Sequence, residues 1–233
     1  MTAAWTSRIA VFDLETTGVD PHEARIVTAF IGILNGAGEV IEQWSWLANP
    51  GVEIPAAASA IHGVTTERAI AEGVPAAGVV TAIVSTLRDL LQQGIPVCAY
   101  NAAYDFSVLS RESARHSIEK LDPAVPVIDP LVIDKALDRY RRGKRTLEVS
   151  CATYGVTLEG AHDAAADAIA AGRLAQAIAA KFSKELDISL AELHAQQERW
   201  ATQQAESFAD WMRTTKDHTF QPELGWPVRE IHQ

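Results

Sequence analysis

Arg8 to Phe12 ends in a continuous apolar run, and the six residues that follow, Asp13-Leu14-Glu15-Thr16-Thr17-Gly18, turn abruptly polar. An uninterrupted apolar run of this kind marks a strand covered on both faces, so the chain must build a sheet with structure layered on each side. The acidic pair then falls at the strand's C-terminal end, where open α/β sheets place their chemistry. Ile26 to Leu34 is rich in β-branched residues and is separated by Gly36-Ala37-Gly38 from Val40 to Leu47, which predicts a hairpin extending the sheet. From Val80, the residues Ile83, Val84, Leu87 and Leu91 recur at helical spacing until Gly94, and Pro96 to Tyr100 offers a fourth strand with a helix from about Ala102. Val125 to Ile128 reads as a fifth strand. Asp129-Pro130 starts a helix toward Arg139, Thr146 to Tyr154 is a short helix, and His162 to Ala180 is an alanine-rich one. A hairpin followed by alternating strands and helices predicts an α/β domain with a mixed five-stranded sheet flanked by helices.

A length of 233 residues suits one large domain plus an appendage. The expected division is a domain over 1–182, a long helical extension over 183–215 and an extended tail over 216–233. Ser189-Leu190-Ala191-Glu192 fits a capping box, and Leu186, Leu190, Leu193, Trp200 and Trp211 lie near one stripe, interrupted by Gln197 and Gln204. Those glutamines break the seam of a long coiled coil, so the stripe is expected to bury against the domain, a partner or a second copy. No apolar run approaches the roughly 20 residues of a membrane span. Met1 to Ser7 has no secretory pattern, and Cys98 and Cys151 cannot form a disulfide framework, so a cytoplasmic location is expected. The formal charge of −10 argues against a broad basic surface for nucleic acid. Arg139 to Arg145 nevertheless holds five basic residues, either a solvated helix end or a local phosphate contact.

Asp13 and Glu15 are two apart, so on a strand both side chains share a face and can share an ion. A lone Asp-x-Glu could equally be a solvated strand end. Asp105 lies one turn into the helix after the fourth strand, at the same sheet edge if that strand is a parallel neighbour, although alone it could be a helix-dipole partner. In His162-Asp163-Ala164-Ala165-Ala166-Asp167, five positions amount to about 140° of helical rotation, so His162 must sit just outside the helix to reach the place Asp167 faces. Asp163 reads as the N-cap.

Together these segments resemble the DnaQ-like, or DEDDh, exonucleases, whose ribonuclease H-like domain removes nucleotides from 3′ ends. The three family motifs match Asp13 to Gly18, Tyr100 to Asp105 and His162 to Asp167 in order, and Ile61-His62-Gly63-Val64-Thr65 looks like the nucleotide-pocket segment. The resemblance covers roughly residues 7 to 182. It implies catalytic roles for Asp13, Glu15, Asp105, His162 and Asp167. Four carboxylates in one cleft need compensating protons or cations, and oxygen-only ligands favour two Mg²⁺ or Mn²⁺ ions over Zn²⁺. The resemblance also implies that His162 takes the proton of the attacking water, and that Thr16, His62, Asn101 and Tyr104 shape the terminal-nucleotide pocket. Arg141, Arg142 and Lys144 are the candidates for phosphate contact. For each of these, packing or capping is the alternative, and Tyr100 stands where many relatives carry His. The implied activity is 3′→5′ release of nucleoside 5′-monophosphates from DNA, because Glu15-Thr16-Thr17-Gly18 looks like the proofreading type. The alternatives are an exoribonuclease on short RNA and a scaffold subunit whose C-terminal helix recruits a polymerase.

Overall fold

A computed structural model of the chain describes residues 3–122, 125–160 and 162–230. The first strand, β1 (Arg8–Thr16), pairs antiparallel with β2 (Ile26–Asn35), which pairs antiparallel with β3 (Val40–Asn49). Two short helices, α1 (Ala56–His62) and α2 (Thr66–Glu72), lead to the two-residue strand β4 (Val74–Pro75), which joins β3 in parallel. Helix α3 (Ala76–Gln92) precedes β5 (Val97–Cys98), parallel to β1. Helix α4 (Ala102–Arg115) precedes β6 (Val127–Ile128), parallel to β5. The chain then runs through α5 (Pro130–Leu137), α6 (Leu147–Tyr154), α7 (Ala164–Lys181) and α8 (Leu190–Thr215).

The five expected strands are present in a sheet of order β4-β3-β2-β1-β5-β6, and β4 adds a sixth at the edge. The largest departure is at β1, which runs four residues beyond its apolar run. It continues through the acidic motif because β2 pairs with it there, Asp13 opposite Phe30 and Glu15 opposite Thr28.

Alternation along β1 sorts the two layers. Ala10, Phe12 and Leu14 enter a core with α3 and α4, whereas Ile9 and Val11 enter one with α7. Asp13 and Glu15 continue the odd-numbered series and therefore face the α7 side. Helix α7 lies close against the sheet because Ala168, Ala171, Gly172 and Ala175 line the contact. A Cβ on Gly172 would stand 2.4 Å from Val11 Cγ1 and 2.6 Å from Leu34 Cδ1.

Helix α8 packs on the domain. Its capping box at Ser189 and Glu192 forms as expected, while Leu186 lies in the preceding loop and is fully buried. The glutamines that interrupt the apolar stripe have a use the stripe does not reveal. Gln197 Oε1 accepts from Asp129 N–H at 2.7 Å, and its Nε2 donates to Val127 C=O at 2.9 Å. His194 Nδ1 accepts from Val127 N–H at 3.1 Å, and Gln204 Nε2 donates to Val132 C=O at 3.0 Å. Side chains of α8 thus satisfy the outer hydrogen-bonding edge of β6. The tail beyond Lys216 is docked through Trp226, whose ring packs on His194 at 4.9 Å between centroids; residues 231–233 of the expected tail lie outside the described residues. Among the described residues no helix is long and apolar enough to cross a membrane.

Replacing Gln197 with Ala leaves the Asp129 N–H and the Val127 C=O buried without partners. The expected cost is about 2–4 kcal/mol, to be read from the denaturant midpoint against wild type, and Gln197→Glu should be nearly as damaging because it removes the Nε2 donor.

Candidate active site

Three elements bring four carboxylates to one place. Asp13 and Glu15 project from β1 toward α7, Asp167 sits in the first turn of α7, and Asp105 reaches over from the first turn of α4, where its Oδ1 accepts from Leu14 N–H at 3.2 Å. That bond ties Asp105 to the residue between the two β1 carboxylates. Burial pushes the Asp13 carboxyl well above its ordinary value, and the charges of Asp105, Glu15, Asp167 and Asp163 add to the rise. Burial, Asp167 and Asp163 raise Glu15 to about 7. Asp105 is raised by burial against the pull of its backbone donors, and Asp167 is raised by burial, opposed by His162.

His162 stands immediately before the Asp163 N-cap with φ of 69°, a left-handed conformation outside the helix, and is exposed. Its N–H donates to Asp167 Oδ2 at 3.3 Å. Asp163 accepts from Ala165 and Ala166 N–H, as an N-cap does. A cleft of about 400 Å³ between β1, β2, β3 and the head of α7 is lined by Glu15, His62, His162 and Asp163 among others.

The predicted pocket residues separate into two groups. Thr16 Oγ1 lies 2.5 Å from the Tyr104 hydroxyl and 2.8 Å from Gly18 C=O, which Tyr104 also contacts. This triangle welds the first motif to the second. His62 ends α1, where Gly63 adopts φ of 75°, and its Nδ1 accepts from Val64 N–H at 3.2 Å, which leaves the proton on Nε2. Burial lowers its pKa, and the Thr16 backbone opposes that shift, so His62 borders the same corner. Asn101 is exposed and holds φ of 63° at the head of α4; its side chain caps no helix N–H, and it borders a separate cavity toward α5 and α8.

The basic segment is partly internal. Arg141 pairs with the fully buried Asp134 and lies 3.5 Å from Asp138, and Arg145 joins Asp134 at 2.5 Å. This corrects the expectation of a phosphate contact for Arg141, whose charge is consumed by a buried carboxylate. Arg142 and Lys144 remain exposed. Tyr100 turns away from the cleft and bonds to Arg145 C=O at 2.8 Å and Ser150 Oγ at 3.0 Å.

Asp129 was legible only as a helix cap. Its carboxylate accepts from Leu131 and Val132 at the head of α5, but also from Asn101 and Ala102 N–H at 3.1 and 2.9 Å and from the Trp226 indole at 3.3 Å. Two helix N-termini share one buried anion. The Asp-Pro pair signals the first role; the second depends on β5 and β6 being neighbours.

Whether cations fit this site can be judged from the side chains. Asp167 Oδ1 is buried and accepts no hydrogen bond. Apart from His162 beside Asp167, the groups pressing on the four carboxylates are other carboxylates. The donor set is all oxygen and, among the described residues, has no paired Lys or Arg, which suits hard divalent ions. Among the described residues, no three His, Cys, Asp or Glu groups are closed into a ready coordination shell.

The sequence model of the RNase T family, described as exonuclease, matches residues 10–175. A DNA polymerase III subunit epsilon-like protein of Rhodobacter capsulatus is 30% identical over 164 residues, covering 69% of this chain and 22% of that protein. A PolC-type DNA polymerase III of Lacticaseibacillus paracasei is 26% identical over 179 residues, covering 77% and 12%. The chain therefore spans less than a quarter of the length of these curated relatives. Among solved structures, exonuclease I of E. coli in complex with a dA16 oligonucleotide superposes with a TM-score of 0.67 at 21% identity, covering 78% of this chain and 42% of that one. An exonuclease I from Methylocaldum szegediense gives 0.63 at 21% identity, covering 77% and 42%. These superpositions show a shared fold. With the motifs in order on that fold, the chain belongs to the RNase T exonuclease family, the DnaQ-like branch of the ribonuclease H-like superfamily.

Proposed function

We propose that the chain is a divalent-cation-dependent 3′→5′ exonuclease that releases nucleoside 5′-monophosphates from DNA ends, of the proofreading or repair type. The observation that carries this reading is the gathering of Asp13, Glu15, Asp105 and Asp167 from three elements, with no paired Lys or Arg among the described residues, beside the exposed His162. Those four carboxylates would hold Mg²⁺ or Mn²⁺. Bound there, such ions polarise the scissile phosphodiester and acidify the attacking water. His162, held at the cleft mouth by the Asp163 cap and by its own N–H bond to Asp167, accepts the water's proton. The Thr16, Tyr104 and His62 corner frames the terminal nucleotide, and Arg142 and Lys144 supply phosphate contacts. The preference for DNA is supported by the polymerase III relatives and by Thr16 in the first motif.

The test is hydrolysis of end-labelled single-stranded DNA, mismatched duplex DNA and short RNA with Mg²⁺, Mn²⁺ or chelator. DNA cleavage from the 3′ end that chelator stops is the expected result, and RNA as the better substrate would overturn the substrate assignment. Asp13→Ala should lower turnover by at least about 10³-fold, while the melting temperature in chelator holds or rises because like charge is removed. His162→Gln should cost about 10²–10⁴-fold in turnover with oligonucleotide affinity retained.

A readout without activity follows from Glu15, whose pKa rises from 4.5 to about 7 on folding. The native state binds the proton more tightly, so metal-free stability is greatest below pH 4.5 as far as this group is concerned and is lost as pH rises toward 7. Melting temperatures in chelator should therefore decline across that window, Glu15→Gln should flatten the decline, and Mn²⁺ should raise the melting temperature more at pH 7.5 than at pH 5.

A further inference from the structure

A groove of about 770 Å³ runs between α5 and α8, on the flank of the domain away from the carboxylates. Its walls carry Lys135, Arg139 and Arg145 on one side and Trp200, Phe208 and Trp211 on the other, and no carboxylate lines it. This is unusual on a chain of net charge −10. Phe208 and Trp211 are 52% and 47% exposed, and their rings stand 5.8 Å apart. Lys216 Nζ sits 5.2 Å over the Trp211 ring, and the nearly fully exposed Tyr140 lies beside Arg139 at the groove's rim. Arg145 is committed to Asp134, whereas Lys135 and Arg139 are exposed.

The groove leads toward the head of the helix that carries Asp105. A second cavity of about 200 Å³ shares Lys135, Gln204 and Phe208 with it and extends to Asn101, at the head of the helix that carries Asp105. Two acids line that cavity: Glu223 is paired with Arg229, and Asp129 is enclosed by the N–H groups of Asn101 and Ala102 and by the Trp226 indole. Asn101, which borders no part of the catalytic cleft proper, stands at the near end of this channel.

We propose that this channel binds the single-stranded nucleic acid upstream of the 3′ end: several nucleotides pass Asn101, their phosphates meet Lys135 and Arg139, and bases stack on Phe208 and Trp211. In the larger groove, cations without a carboxylate among them face exposed rings, which matches the two chemistries of a single strand, a phosphate at every step and a π-face on every base. A protein segment would match the aromatics but would need acidic side chains for the cations. The inference rests on the exonuclease reading, because that reading places the 3′ end at the carboxylates.

The experiment compares dT3, too short to leave the cleft, with dT15, using full-length protein. Affinity is measured by fluorescence anisotropy in Ca²⁺ across a salt series, and KM and kcat in Mg²⁺ or Mn²⁺. Wild type should favour dT15, and Phe208→Ala with Trp211→Ala should weaken dT15 by about tenfold or more while dT3 kinetics and melting temperature stay unchanged. Lys135→Ala with Arg139→Ala should lower the salt slope for dT15 by about two. Quenching of Trp211 fluorescence by dT15, lost in Trp211→Phe, reports stacking directly. Unchanged dT15 affinity and slope in both double variants would overturn the proposal and leave the groove to a protein partner. If wild type cleaves nothing but dT15 binding still depends on the four residues, the exonuclease reading fails and the groove stands as a nucleic-acid surface.

Discussion

Carboxylates repel one another, so a cleft containing four of them exists only where packing elsewhere holds their backbones in place. In this molecule the restraint is the seating of α7 on β1 and β2. With Gly172 against Val11 and Leu34, and alanines along the rest of the contact, the helix approaches the sheet closely enough to set Asp167 over the odd-numbered face of β1. The favourable energy of this seam comes from apolar burial beside Ile9, Val11 and Phe30, immediately next to the acids. The mutual repulsion of the carboxylates is borne by the core, and burial together with neighbouring acids holds Asp13 and Glu15 above their ordinary pKa.

A second restraint converges on Asp129. One buried carboxylate gathers the heads of α4 and α5 and the Trp226 indole, and Gln197 holds its backbone. Asp105 stands one turn into α4, so its position depends on this anchor as well as on its bond to Leu14. The C-terminal extension contributes no carboxylate to the cleft, yet it supports the helix that does.

What was legible in the chain was whatever depends on neighbours a few residues apart. The period of β1 placed Asp13 and Glu15 on one face, the Asp163 cap put His162 outside its helix, and Ser189 with Glu192 marked the start of α8. The resemblance to a family then joined the three motifs. Pairings across long separations were not legible. Gln197 reads as a flaw in an apolar stripe until β6 is seen beneath it, 68 positions away in the chain from its partner Asp129. The five basic residues between Arg139 and Arg145 look alike until the buried Asp134 takes Arg141 and Arg145 and leaves Arg142 and Lys144 to solvent. Strand β4 escaped notice because two residues, one of them Pro75, carry no alternation to read.

The sealing of β6 has a consequence for how the molecule behaves in a crowd. An open parallel edge is a template on which another chain can add a strand. Here His194 and Gln197 occupy the donor and acceptor positions that an incoming strand would take, and Trp226 roofs them. The appendage is therefore the fold's guard against self-templated growth. Any shortened version that keeps the three motifs but ends before α8 would offer that edge to its neighbours, and would tend toward swapped dimers or fibrous aggregates.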